Sequence, residues 1–291
     1  MLVTTTLTTW PHRSDRLQGR GVTILLWLIA IVVGALGLWI VGDICAAGFS
    51  HLSLEFLTQP PSNAGRAGGI STVLVGTGAI LLVALGGMLV FGLGAAILLA
   101  EYESQSQGWT KALGRSIDIL SGVPSIVFGL FGLAFFGQFL GWGWSILSGG
   151  LTLACMVVPL FVRASEESLR RAALPLRSGA AALGMTRTAT LWHLILPTAA
   201  PGIAVALVLS MSRALAETAA LLFTAGAAVR MPTSWFDSAR TLSYHVYLLA
   251  IEVPGGQPRA YAAALVLLLL VIILNTGTIV LAQRWQRNRL G

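Results

Sequence analysis

The chain has 291 residues, 56% hydrophobic and only 10% charged, with a formal charge of +7. Soluble domains carry about 25% charged residues, so this composition excludes a soluble globular protein and describes one that crosses a membrane several times. The basic excess sits in short runs beside apolar segments, which orients a chain in a bilayer and argues against a nucleic-acid partner.

Other classes fall to missing motifs. Cys45 and Cys155 lie in apolar runs without ligand spacing, so they form neither a disulfide framework nor a metal site and read as small buried residues. Lys111 is the single lysine, and no G-x-x-x-x-G-K-[ST] occurs, so the chain has no P-loop of its own. No H-E-x-x-H or G-x-S-x-G suggests a hydrolase.

Residues 1–21 are polar, with Arg13, Arg16 and Arg20 against Asp15, and read as a disordered tail. A first span is predicted over 22–46; it is longer than the roughly 7–15 apolar residues of a signal peptide. Residues 47–69 form a loop rich in turn formers. A second span, 70–100, exceeds the roughly 30 Å hydrocarbon thickness and must tilt, bend or protrude. Its glycines (Gly76, Gly78, Gly86, Gly87, Gly92, Gly94) allow close approach of other helices. A polar loop, 101–116, leads to a third span, 117–139, interrupted early by Pro124. Such a break is tolerated only where protein or a water-filled path satisfies the backbone. An uncharged turn over 137–150 carries Trp142 and Trp144, and a fourth span ends near residue 162.

Next comes the longest polar interruption, 163–202. Arg163, Arg170, Arg171, Arg177 and Arg187 stand there against Glu166 and Glu167. Alanines and leucines at helical spacing predict two short helices broken at Gly184-Met185-Thr186, with Pro197 and Pro201 opening the next span. That fifth span covers 201–225. A long loop, 226–260, and a sixth span, 261–282, follow, with Arg284, Arg287 and Arg289 at the end. With both termini cytoplasmic, thirteen of the eighteen lysines and arginines lie inside and four outside, as the positive-inside rule requires.

Arg213 and Glu217 are the exceptional pair, set mid-span in LVLSMSRALAETAALLF. A charge at the bilayer centre costs about 2.5–3.5 kcal/mol even on the lenient insertion scale. Four residues apart on a helix, the two share a face and neutralise each other. One role is an ion pair that holds helices together; the other, preferred, is a face that lines a substrate path. Ser212 and Thr218 add hydroxyls, and Pro124 and Ser125 at the break in the third span join the same path. A guanidinium grips an oxyanion through paired hydrogen bonds.

The basic stretch also resembles the coupling motif of bacterial ABC importer permeases, E-A-A-x3-G-x9-I-x-L-P. Its glycine is Gly184, its alanine doublet falls on Gly179 and Ala180, and its closing segment on Leu194, Ile195, Leu196 and Pro197. The motif glutamate falls on Ser178, a departure that removes any salt bridge from that position. Gly122-Val123-Pro124-Ser125-Ile126-Val127-Phe128-Gly129-Leu130-Phe131-Gly132 resembles phosphate-importer permeases, and the run Arg213 to Ala225 and Leu242 to Tyr247 resemble their A-type subunits (the PstA family). A proline common in the second span of that family is Phe91 here.

The resemblance implies an all-α integral membrane protein with six transmembrane helices, a type I importer permease fold over 70–284 and a cytoplasmic coupling hairpin, 163–200, between the fourth and fifth helices. It implies a bacterial inner-membrane subunit that forms half of a phosphate pathway and catalyses no bond chemistry. It also implies its partners: a C-type permease, two ATP-binding subunits that use the ATP, and a periplasmic phosphate-binding protein. No cofactor is bound by this chain itself. Other oxyanions such as molybdate or sulfate are the alternative cargo. An ion-coupled secondary transporter would carry internal inverted repeats, and none is visible.

Overall fold

The structure, a computed structural model, describes residues 13–102 and 108–290. Contacts divide the chain into two compact units, meeting between Ala47 and Gly48. The first is one helix, α1 (Arg13–Phe49), whose stretch Gly21–Phe49 has a mean hydropathy of 2.8. A helix this apolar all round suits lipid. It begins inside the stretch expected to be a disordered tail, where no proline follows Pro11 and the helix runs through Gly19; residues 1–12 of that tail lie outside the described residues.

The second unit opens with a short helix, α2 (Leu54–Thr58), capped by Ser53, and a miniature antiparallel pair, Pro61–Ser62 with Ala67–Gly68. Phe56 of α2 is buried with Ile70, Val73, Leu242 and Ala262 in a small apolar cluster. Then comes α3 (Ser71–Glu101), which carries one π-helical turn at Met88–Leu93. Phe91, in place of the family's proline, lies in that turn. Of the six glycines in α3, Gly76, Gly87 and Gly92 meet Ala239, Ala154 and Phe161, whereas Gly78, Gly86 and Gly94 face open space. Close approach therefore accounts for half of them.

The third span departs from the sequence reading. Much of the expected loop is a helix, α4 (Gly108–Ser121), amphipathic with Thr110, Gly114 and Ile117 buried and Lys111 and Arg115 exposed. Its partner, α5 (Ser125–Phe139), leaves it at an angle of 104°. Pro124 stands extended at the break (φ −59°, ψ 143°). It has no N–H to donate, and it bars the preceding residue from helical geometry. The expected third span is thus the second limb of a bent pair, α5 entered from α4 through an elbow.

At the centre lies α6 (Ile146–Ala182), capped by Ser145 and the most buried of the long helices. It does not end near residue 162: it runs straight into the first limb of the basic stretch, with Pro159 and Pro175 inside it. The second limb is likewise no separate helix. It opens α7 (Arg187–Leu215), which continues through Pro197 and Pro201 with a π turn at Leu191–Ile195. A short helix, α8 (Ala219–Thr224), completes the expected fifth span after a break at 216–218. The following loop holds α9 (Leu242–Tyr247), and α10 (Gln257–Leu290) closes the chain. The described residues thus contain five helices able to cross a membrane, or six when the bent α4–α5 pair counts as one span.

Two apolar clusters join these helices. One packs Ile80 and Met88 of α3, Phe128 of α5, Leu153 and Phe161 of α6, and Met211 of α7. The other joins Leu99 and Ala100 of α3, Ile117 of α4, Leu169 of α6, and Ile195 and Ala199 of α7.

Candidate coupling hairpin and transmembrane path

The turn between α6 and α7 is built from the backbone outward. The Gly184 N–H donates to Ala181 O and the Met185 N–H to Ala180 O, both at 3.0 Å. This pair of bonds is a Schellman cap, and it requires the positive φ of +70° that Gly184 adopts. Thr186 then caps α7, its Oγ1 accepting from the Ala189 N–H at 3.2 Å. The break thus falls where the sequence places it. Its two limbs are extensions of membrane helices rather than free short helices.

The motif residues divide by face. Ser178 and Gly179 are exposed, Ala180 is buried, and Leu194, Leu196 and Pro197 are half-buried. Ile195, named in the closing segment of the motif, is the buried residue of that segment at 2% exposure. The π turn that ends at Ile195 shifts the facing residue by one. Beside the turn, Glu101, Arg177, Met185, Arg187 and Thr190 line a pocket of about 300 Å³.

The first limb is tied down by charge. Glu166 is buried and accepts from Arg163 Nη1 at 2.8 Å and from Arg170 Nε at 2.9 Å. Arg163 reaches Asp118 of α4 at 2.7 Å, and Arg177 reaches Glu101 of α3 at 2.9 Å. Spacings of three and four made the contacts within α6 legible in sequence; those to Asp118 and Glu101 had no local signal.

The second candidate group lies where α7 ends. Arg213 is in the last turn of α7, but Glu217 sits beyond it, at the break before α8. Mid-helix placement is therefore corrected for both: an interrupted helix, not a continuous face, sets their geometry. Arg213 Nη2 is 3.7 Å from Glu217 Oε2, with the arginine side chain 54% exposed and the glutamate 6%. Glu217 Oε1 also accepts from the Ala220 N–H at 3.5 Å. The Glu217 carbonyl accepts from Ser243 Oγ of α9 at 2.5 Å. Ser212 Oγ is buried and finds no hydrogen-bond partner among the described residues, and Thr218 occupies the first position before α8 without capping it through its side chain.

Pro124 and Ser125 reach the same level by packing. Gly129 of α5 meets Ala220 of α8, and Gly132 meets Thr224, so the two short helices run parallel. Their starting ends, at Ser125 and at Thr218, are therefore level in the bundle. The two motif segments, far apart in sequence, form one helix pair.

Comparison with known proteins agrees with this architecture. The bacterial alginate ABC transporter, solved with an alginate-pentasaccharide-bound periplasmic protein, contains a chain that superposes with a TM-score of 0.62 at 15% identity, covering 94% of this chain and 98% of that one. A chain of the inward-facing methionine transporter MetNI gives 0.59 at 16% identity, covering 74% of this chain and 97% of that one. The fold is that of a type I ABC importer permease. The family described as "Binding-protein-dependent transport system inner membrane component" matches residues 88–287, so this chain belongs to that family. A probable ABC transporter permease protein, YqgI of Bacillus subtilis, is 31% identical over 90% of this chain and 92% of its own length. The phosphate transport system permease protein PstA of Yersinia pestis is 31% identical over 89% and 88%. The chain is thus a multi-pass inner-membrane permease subunit, and ATP hydrolysis resides in a separate ATPase subunit. A binding protein and a second permease complete such an importer.

Proposed function

We propose that this subunit forms half of a phosphate pathway, with Arg213 as the transient contact for the anion and Glu217 as its resident counter-charge. The observation that carries the proposal is the pair's asymmetry: the carboxylate is buried, while the guanidinium above it turns outward at 54% exposure. A cation at that depth in a span needs water, an anion or a second subunit beside it. The long 3.7 Å separation leaves its donors available to a tetrahedral oxyanion. Ser212 Oγ is the nearest polar atom in sequence without a partner, and the first-turn amides of α5 at Ser125 favour negative charge. Glu217 lets the anion leave, since a neutralised arginine binds it weakly.

The hairpin at Gly184 is the contact for the ATPase, and it lies in the cytoplasm with both termini. The lysine and arginine count supports this orientation. Binding of ATP draws two ATPases together, and the hairpin passes the motion on. The geometry offers a direct route: α7 is one helix of 29 residues from Arg187 to Leu215, so the hairpin limb and Arg213 belong to the same rod.

The test is uptake of labelled phosphate by cells carrying Arg213→Leu at normal expression and assembly. Uptake is expected to vanish. Full transport by that variant removes the proposal. Molybdate and sulfate as competitors decide the cargo: competition at equal concentration assigns the path to oxyanions generally.

A further inference from the structure

We infer that Glu166 is a positioning residue, the hub of an ionic latch that makes the hairpin arm, the end of α3 and the elbow helix α4 one rigid lever. The inference rests on the reading that the hairpin receives the ATPase stroke.

Both carboxylate oxygens of Glu166 are engaged. Oε2 takes Arg163 Nη1 at 2.8 Å, and Oε1 takes Arg170 Nη2 at 2.8 Å. Each arginine then reaches a different helix. Arg163 places Nε and Nη2 on Asp118 Oδ1 at 2.8 and 2.7 Å, and Nη2 also donates to Gly114 O at 2.7 Å. All three contacts are on α4. Arg170 Nη2 lies 3.4 Å from Leu99 O, and about two turns further along α6 Arg177 Nη2 lies 3.4 Å from Ala100 O. These carbonyls belong to the last turn of α3, where helix carbonyls lack partners and the dipole attracts cations. Beneath the charges, Leu99, Ala100, Ile117, Leu169 and Ala173 share one apolar cluster.

The consequence lies past the elbow. Only Gly122, Val123 and Pro124 separate α4 from α5, and the bend there is 104°. A tilt of α4 therefore becomes a displacement of α5. At its other contacts α5 is packed on α8, where Gly129 and Gly132 meet Ala220 and Thr224, and on α6, where Gly132 meets Thr152. The latch thus gives the stroke a second route to the path, through α4 and α5, beside the direct one along α7. Ion pairs that served stability alone would not need to join three helices through one buried carboxylate. Arg171 with Glu167, exposed at 77% and 57%, shows what an isolated pair on this arm looks like.

The experiment uses the complete transporter in proteoliposomes, with Cys45 and Cys155 replaced by serine. Spin labels are placed through Ser116→Cys on α4 and Leu174→Cys on α6, both exposed positions. The distance between them is expected to stay within about 1–2 Å with and without a non-hydrolysable ATP analogue, the scale of small helix shifts. Asp118→Asn and Glu166→Gln are expected to broaden that distance and to cut phosphate transported per ATP about tenfold, while hydrolysis continues. Asp118 is exposed, so its variant reports even where the buried substitution impairs folding. A nucleotide-driven change of about 5 Å, one helical turn, in the unsubstituted pair overturns the latch; so does an unaltered transport-to-hydrolysis ratio in Asp118→Asn. A cross-link from Met185→Cys to the ATPase reads the underlying assignment separately. Its absence would overturn the hairpin reading, whereas a moving label distance would overturn the latch alone.

Discussion

Gly184 is the position where one side chain should break transport without touching anything. Its φ of +70° lies in the left-handed region, and a Cβ built there meets no atom of the described residues within 4 Å. Crowding is absent, so the cost of a side chain is purely conformational. For an L-residue that cost is about 1–2 kcal/mol, with β-branched valine at the upper end. A penalty of that size shifts the turn's population about 5- to 30-fold. The Schellman bonds from Gly184 to Ala181 and from Met185 to Ala180 would loosen together, and the hairpin would no longer hold α6 and α7 at a fixed angle. Gly184→Val should therefore keep expression and basal ATP hydrolysis but lose most substrate uptake per ATP in proteoliposomes. Gly184→Asn, which tolerates the left-handed region, should retain coupling. Equal coupling in the valine variant and the unaltered protein refutes the reasoning. Equal loss in the asparagine and valine variants refutes its conformational basis.

Packing and protonation supply two further tests. A Cβ on Gly132 would lie 2.0 Å from Thr152 Oγ1, which is itself held by Ser148 O at 2.6 Å. Gly132→Ala should cost about 1–3 kcal/mol through overpacking, read as a lower melting temperature in detergent, whereas Gly78→Ala, facing open space, should not lower it. His245 on α9 is 1% exposed, and its Nδ1 sits 3.3 Å from Arg240 Nη1. A guanidinium only donates, so Nδ1 must accept and the ring is neutral. Burial, and then the Arg240 charge, bring the His245 pKa down from 6.5 to about 4. An unfolded chain takes up the proton near 6.5 while the folded one resists to about 4, so this site's stability is full above 6.5 and lost as pH falls through that window. His245→Gln should flatten the melting temperature over that range; an unchanged slope would count against the assignment.

Local signals were strong where the chain meets lipid or turns sharply. Apolar runs marked the membrane-crossing stretches, because no short-range alternative hides so much hydrocarbon. Gly184 followed by Thr186 marked the hairpin turn, because a left-handed cap and an N-cap are set by adjacent residues. Pro124 marked a break, but not that it would be a 104° elbow with a helix before it. The short polar stretch masked α4, whose buried Thr110, Gly114 and Ile117 show a helical period only once a neighbour covers them.

Beyond the resemblance to a permease family, the order of residues by itself determined a helical chain that crosses the membrane several times, the hairpin turn at Gly184 and the presence of an arginine and a glutamate within one apolar run. These follow from hydrophobic length, backbone dihedrals and the cost of charge in hydrocarbon. Tertiary structure alone decided that Glu217 stands at a helix break with Arg213 turned outward, that Gly129 and Gly132 seat α5 on α8, and that Arg163 crosses to Asp118. The last two join residues dozens of positions apart, and no local period encodes which helix faces which.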